Sequence, residues 1–164
     1  MKIRSEAFED INTIYQLTSA AFAGKAYSDG TEPDIVNGLR NSAALKLSLV
    51  AEADRIIVGH VALSPVTIEG LSDWYGLGPI SVAPAHQKQG IGTALMTAVL
   101  KELKDSGAHG CALVGDPNYY SRFGFVSSGA LTYGDTPVAY VQHLLLAGDA
   151  PQGEIVFHPA FGGA

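Results

Sequence analysis

A single cysteine, Cys111, stands in 164 residues. No internal disulfide can form, no cysteine-based zinc centre can be built, and a reducing compartment suits the chain. The five histidines (His60, His86, His109, His143 and His158) show no i, i+4 pair and no cysteine nearby, so no metal is expected. Charged residues make up only 16%, with 10 Lys and Arg against 16 Asp and Glu, a formal net charge of −6. Such a chain is not built as a general nucleic-acid binder. Long apolar runs are missing too: none reaches the roughly 20 residues that cross a bilayer. The N-terminus has no charged start leading into an apolar stretch, so neither a membrane anchor nor a secretory leader is expected. With no repeats, linkers or low-complexity blocks, residues 1–164 are expected to form one cytoplasmic domain.

Hydrophobic residues make up 47%, enough for a substantial core. Lys2-Ile3-Arg4 reads as a short strand, and Ile11, Ile14, Tyr15, Leu17 and Phe22 recur at helical spacing from about Ala7 onward. Gly24 to Gly30 is a polar loop. Thr31-Glu32-Pro33-Asp34 starts a second helix running to about Asn41, with Thr31 as its N-cap. Leu45–Ala53 and Ile56–Ile68 are expected to be strands, and the two-residue link Asp54-Arg55 permits only an antiparallel hairpin. Leu71 to Gly78 reads as turn, and Ile80 to Ala83 as a fourth strand. Ile91, Leu95, Val99 and Leu103 form the apolar stripe of a third helix that Ser106-Gly107 ends. Cys111 to Val114 is a buried strand, reached by a right-handed parallel crossover. Pro117 opens a short fourth helix. Phe125-Val126 and two tail stretches, Tyr140–Leu146 and Glu154–His158, complete the strands. The tail strands are expected to join the same sheet, being too short to enclose a core of their own. The class is α/β of mixed type, a mixed sheet with helices on its faces.

The most specific signal lies between the fourth strand and the third helix, in Val82-Ala-Pro-Ala-His-Gln87-Lys88-Gln89-Gly90-Ile91-Gly92-Thr93. A polar turn there aims backbone N–H groups and a helix N-terminus at one point, where an anion can sit. Gly90 and Gly92 carry no Cβ, so a phosphate can approach the backbone closely. Two other phosphate loops are excluded. G-x-x-x-x-G-K-[ST] is absent, and G-x-G-x-x-G fails at Leu95.

What remains, Gln-x-x-Gly-x-Gly after a strand and before a helix, resembles the acetyl-CoA signature of the GNAT N-acetyltransferase superfamily. Tyr119-Tyr120-Ser121-Arg122-Phe123-Gly124-Phe125 independently resembles the same family's closing motif. The resemblance runs from Ile3 to about Val126. The compact Gly115-Asp116-Pro117-Asn118-Tyr119-Tyr120 turn and the extended tail look like a bacterial subgroup of the family. It departs from many relatives in its short fourth helix, so Asn118 is not equated with their CoA-contacting asparagine.

The resemblance implies a central mixed, mostly antiparallel sheet flanked by helices, with one parallel βαβ crossover. It implies acetyl-CoA as co-substrate and a primary amine, small-molecule or peptide, as acceptor, with direct transfer in a ternary complex. Gln87, Lys88, Gln89, Gly90, Ile91, Gly92 and Thr93 would hold the CoA pyrophosphate, and the backbone at Val82 would orient the pantetheine. Tyr120 would protonate the departing thiolate. Tyr119 is assigned to packing or to lining the substrate.

For the general base His60, Glu69, Asp73 and Asp116 are open. Asp116 is preferred because it ends a parallel strand, where open sheets place ligands, although a helix cap ahead of Pro117 would use it equally well. Glu32 and Asp29 are assigned to the solvated surface and Cys111 to core packing. A silent acyl-CoA-binding or sensing domain on the same fold is the alternative function, a cofactor-free regulatory partner is a third, and a homodimer is left open.

Overall fold

The computed structural model describes residues 1–162. In chain order the elements are β1 (Lys2–Ser5), α1 (Ile11–Phe22), α2 (Glu32–Asn41), β2 (Leu47–Ala53), β3 (Ile56–Pro65), β4 (Thr67–Ile68), β5 (Trp74–Val82), α3 (Ile91–Asp105), β6 (Gly110–Val114), the one-turn α4 (Pro117–Tyr120), β7 (Leu131–Thr132), β8 (Val141–Leu145) and β9 (Gly153–Val156). Six strands form the main sheet in the order β1-β2-β3-β5-β6-β8, antiparallel except for the β5–β6 pair. α3 makes the crossover between those two parallel strands. A second sheet of three short strands has the order β4-β9-β7. The mixed, mostly antiparallel sheet with one helical crossover is therefore the architecture found.

Alternation along the strands decides what each sheet face meets. On β6, Cys111 and Leu113 join the cluster under α3, while Ala112 joins Trp74, Val141, Ile68, Leu131 and Ile155 under the small sheet. The α3 stripe of Ile91, Leu95, Met96, Val99 and Leu103 is buried against Val61, Leu63 and Leu77. Each such side chain contributes about 2 kcal/mol of apolar burial. On the opposite face, Ile14 of α1 and Val36 of α2 pack on Val50. Gly59 is required on the α3 face, because a Cβ there would lie 2.9 Å from both Ile91 and Leu95.

Four expectations need correction. Trp74 to Leu77 is strand, not turn: Tyr75, Gly76 and Leu77 pair with β3, and Trp74, Tyr75 and Gly76 pair with β6. Ile56–Ile68 is two strands. β3 ends at Pro65, and Thr67–Ile68 leaves the main sheet to pair with β9. Phe125-Val126 supplies only a bridge between Val126 and His143, since Gly124 turns the chain with φ +92° and Ser-Ser-Gly follows. The tail divides: β8 pairs with β6, but β9 lies in the small sheet, where Ile155 is buried with Ile68 and Leu131. Two local details also differ. The α1 pattern begins with a 3-10 turn, Phe8–Asp10. Thr31 precedes α2 without capping it, because its hydroxyl donates to Asp29 at 2.6 Å.

Candidate active site

β5 separates from β6 partway along. Its pairing with β6 ends at Gly76, opposite Ala112, whereas its pairing with β3 continues to Val82. The break coincides with a bulge: Leu77 and Ile80 on β5 face Leu63 and Val61 on β3, so β5 carries one extra residue there. Gly78 takes φ +130° in that bulge, a conformation open to glycine, and Pro79 has no N–H to lose from a ladder. Beyond Gly76 the edge of β5 that faces β6 has no strand partner among the described residues. A V-shaped cleft with a free backbone edge results, suited to an extended ligand that pairs as a strand would.

The polar loop closes the wide end of this cleft. Pro84–His86 forms a 3-10 turn, Lys88 has φ +63°, and Gly90 has φ +83° as the residue before α3. Lys88 shows that the turn demands a left-handed residue even where no glycine stands. No side chain caps α3, and its first turn holds no acidic residue. Its leading N–H groups, at the positive end of a 15-residue helix, are thus left for an anion. Gln87 turns back, and its Nε2 donates to the carbonyl of Val82 at 3.2 Å, tying the loop to the end of β5. Gln87, Lys88, Gln89, Gly90 and Thr93 are exposed, while Ile91 is buried against the core. Ile91 could therefore offer an anion only its backbone.

Tyr119 and Tyr120 stand at the same end. The Tyr119 hydroxyl lies 2.8 Å from where a Cβ on Gly92 would be, so Gly92 makes room for a ring. Arg122 stacks over Tyr119, 4.7 Å from its centroid, and adds positive charge near the helix terminus. Burial pushes the Tyr119 phenol up, partly offset by Arg122 and a hydrogen bond with Thr93. Tyr120 lies over Gly115, whose absent Cβ would meet the ring at 2.5 Å, and packs edge-on to Tyr119 and Phe125 at 4.9 and 6.2 Å. Burial, then the neighbouring Tyr119, Tyr27 and Asp116, push the Tyr120 phenol well above its ordinary value. Its proton is held at neutral pH, so the hydroxyl stands as a neutral donor. Tyr27, on the α1–α2 loop, gives no sequence signal for a place here: it lies in a polar stretch and is 76% exposed.

The four base candidates are not brought together. Asp116 is exposed at the top of β6, where one carboxylate oxygen caps α4 by accepting from the Asn118 N–H at 2.9 Å. Asp73 precedes β5 at the strand end opposite the loop, near His109, and Glu69 lies in the turn after β4. His60 is fully buried on the α1–α2 face. Its Nε2 lies 2.8 Å from Ser48 Oγ; the Ser48 hydroxyl donates to Glu6, and Glu6 pairs with Arg40 at 2.7 Å. Burial lowers the His60 pKa to about 4, so the ring is neutral at neutral pH. Cys111 is buried in β6 and its thiol is pushed up by burial, which agrees with packing.

The sequence model for the acetyltransferase (GNAT) domain matches residues 45–127, which hold β2 through the Tyr119–Phe125 stretch. The uncharacterized N-acetyltransferase YhbS of Escherichia coli (strain K12) is 35% identical over 107 residues, a match that covers 64% of this chain and 64% of that protein. The match therefore spans a little under two thirds of that relative's length. Among solved structures, a GNAT family acetyltransferase from Brucella melitensis in complex with acetyl-CoA is 47% identical. It superposes with a TM-score of 0.87 over 98% of this chain and 97% of that one. YhbS from Escherichia coli in complex with CoA superposes with a TM-score of 0.90 at 29% identity, over 99% and 92% of the two chains. A cleft opened by a bulge, an uncapped helix N-terminus at its mouth and these likenesses converge: the chain belongs to the GNAT family of acetyltransferases.

Proposed function

We propose that residues 1–164 act as one acetyltransferase domain that moves an acetyl group from acetyl-CoA to a primary amine by direct attack in a ternary complex. The observation that carries this reading is the free edge of β5 running into the uncapped N-terminus of α3, with the Tyr120 phenol beside it. The residues present fit the co-substrate. The backbone N–H groups of Gly90 to Thr93 would receive the pyrophosphate, and the open space at Gly90 leaves room for it. Lys88 and Arg122 would add positive charge. The edge at Val82 would align the pantetheine arm, and Gln87 and Gln89 would frame the loop. The two bound solved neighbours, with acetyl-CoA and with CoA, support this choice of ligand.

In the transfer, the neutral amine nitrogen forms a bond to the thioester carbon and the carbon–sulfur bond breaks. Tyr120 donates its phenolic proton to the departing sulfur. The proton lost by the amine passes to Asp116, directly or through water, and Tyr120 is reprotonated from solvent. Asp116 keeps one oxygen in its cap and offers the other. No described helix is long and apolar enough to cross a membrane. That fact and the lone buried thiol support a cytoplasmic site of action. The test is a panel of amines with acetyl-CoA, read by release of thiol. Amine-dependent release is the expected result. Binding of acetyl-CoA with no release across the panel would instead favour a silent acyl-CoA sensor.

A further inference from the structure

On the sheet face away from α3, the tail builds a hollow that the transfer chemistry above does not use. Tyr133, Phe157 and Phe161 wall it, with ring centroids 4.9 Å apart at 86° for the first pair and 5.4 Å apart at 45° for the second. Its volume is about 150 Å³, the size of cavity that holds one benzene-sized group. All three rings remain partly exposed rather than buried as core. Glu154 stands on the rim. Its two oxygens accept from Thr132 Oγ1 at 2.6 Å and Gly134 N–H at 2.7 Å, which fixes the carboxylate and favours its charged form. Each oxygen keeps a lone pair to spare. No cationic side chain pairs with Glu154 among the described residues. His158, also on the wall, is held by the Ala160 N–H, which donates to its Nδ1 at 3.0 Å, and turns its Nε2 toward Ser42.

The hollow backs onto the root of the cleft. The Phe157 ring would lie 2.9 Å from a Cβ on Gly76, the last β5 residue paired with β6. The cofactor loop leads into α3 on one face of the sheet, and the hollow lies on the other. Aromatic faces and a fixed, unpaired carboxylate together recognise an organic cation. We propose that Tyr133, Phe157, Phe161 and Glu154 form an acceptor subsite for a compact ammonium group, so that the preferred acceptors are amines carrying a second cationic group. The held ammonium stays protonated and is not the nucleophile. The other, neutral amine reaches the cleft. This inference rests on the acetyl-transfer reading above.

Two measurements test it separately from that reading. The first needs no acetyl-CoA. Trp74, the one tryptophan of the chain, packs in the same cluster as Tyr133 and Phe157, so its fluorescence reports the hollow. Tetramethylammonium should shift the emission and tert-butanol, its neutral counterpart in shape, should not. Glu154→Gln, which keeps a group able to bond Thr132 and Gly134, should weaken the cation about tenfold, and Phe161→Leu similarly. The second compares 1,8-diaminooctane with octylamine as acceptors. The diamine should show the higher kcat/KM by about tenfold, through KM, and that ratio should fall towards one in Glu154→Gln. Glu154 is exposed, so this variant is expected to fold. Equal response to the cation and the alcohol, or a diamine advantage that survives Glu154→Gln, overturns the subsite. Cation binding without acetyl transfer to any amine supports the cation site but overturns its role for acceptors, together with the reading it rests on.

Discussion

On β3, Val58, Gly59, Val61 and Leu63 face α3, while Ile57 packs with Ile14 and Val36 and His60 lies on the same α1–α2 side. One strand thus serves two different interiors. The α3 face is hydrocarbon, closed by Leu95, Met96, Val99 and Leu103. The other face buries Thr18, Ser48, His60, Ser64 and Ser81, with the Nδ1 of His60 and the hydroxyls of Ser64 and Ser81 lacking protein partners among the described residues. Buried polar atoms of this kind imply ordered water. The difference matches a division of labour. The dry face holds α3 rigid, so its N-terminus can present backbone amides to a phosphate that is the same in every turnover. The polar face carries the α1–α2 loop and the tail, where side chains would meet an acceptor.

The sharpest break between the two sides should come from one oxygen atom. Tyr120→Phe keeps the ring over Gly115 and removes only the proton donor. We expect kcat to fall about a hundredfold or more, with CoA affinity little changed. Steady-state kinetics beside calorimetry would check this, and an unchanged kcat would take Tyr120 out of the chemistry.

Acid should separate the faces next. His60 is neutral in the fold with a pKa of about 4, whereas the unfolded imidazole titrates near about 6.5. The unfolded chain binds the additional proton between those values. Stability is therefore full above about pH 6.5 and is lost as pH falls toward 4, by about 3 kcal/mol. His143, also lowered by burial, acts in the same direction. Urea unfolding at a series of pH values should show this slope in the parent and a flatter one in His60→Gln. Leu95→Ala, on the dry face, should lower stability by about 3 kcal/mol at every pH.

Smaller effects are expected at the loop. Gly90→Val places a β-branched residue at φ +83° and a side chain where phosphate would approach. CoA should bind about tenfold more weakly to the folded variant, and calorimetry showing equal affinity would place the pyrophosphate elsewhere. The smallest change is expected from Lys88→Ala: a part of the salt dependence of CoA binding should disappear, since Lys88 is an exposed point charge. Identical salt slopes would mean that Lys88 points into solvent.

The dry side was the more legible in sequence, for a physical reason. The α3 stripe and the loop before it are contiguous, so periodicity and glycine spacing carry them directly. Trp74 to Gly78 reads as turn in the sequence because Gly76, Gly78 and Pro79 are turn residues locally. Their reasons are tertiary: Phe157 presses on Gly76, and the bulge needs Gly78. β9 could not be assigned to its sheet because its partners, Thr67–Ile68 and Leu131–Thr132, lie far away in sequence and are two residues long. Tyr27 and the Tyr133–Phe157–Phe161 group share this property. Tyr27 comes from the α1–α2 loop, Tyr133 from the segment after β7, and Phe157 and Phe161 from the tail, so no single stretch of sequence shows them together.

The position of CoA decides each of these roles, and a crystal structure of the complex measures it directly. We predict pyrophosphate oxygens within about 3 Å of backbone nitrogens between Lys88 and Thr93, the pantetheine paired along β5 beyond Gly76, and the sulfur beside the Tyr120 hydroxyl. A pyrophosphate bound away from the α3 N-terminus, or a sulfur with Tyr120 out of hydrogen-bonding reach, would contradict this placement.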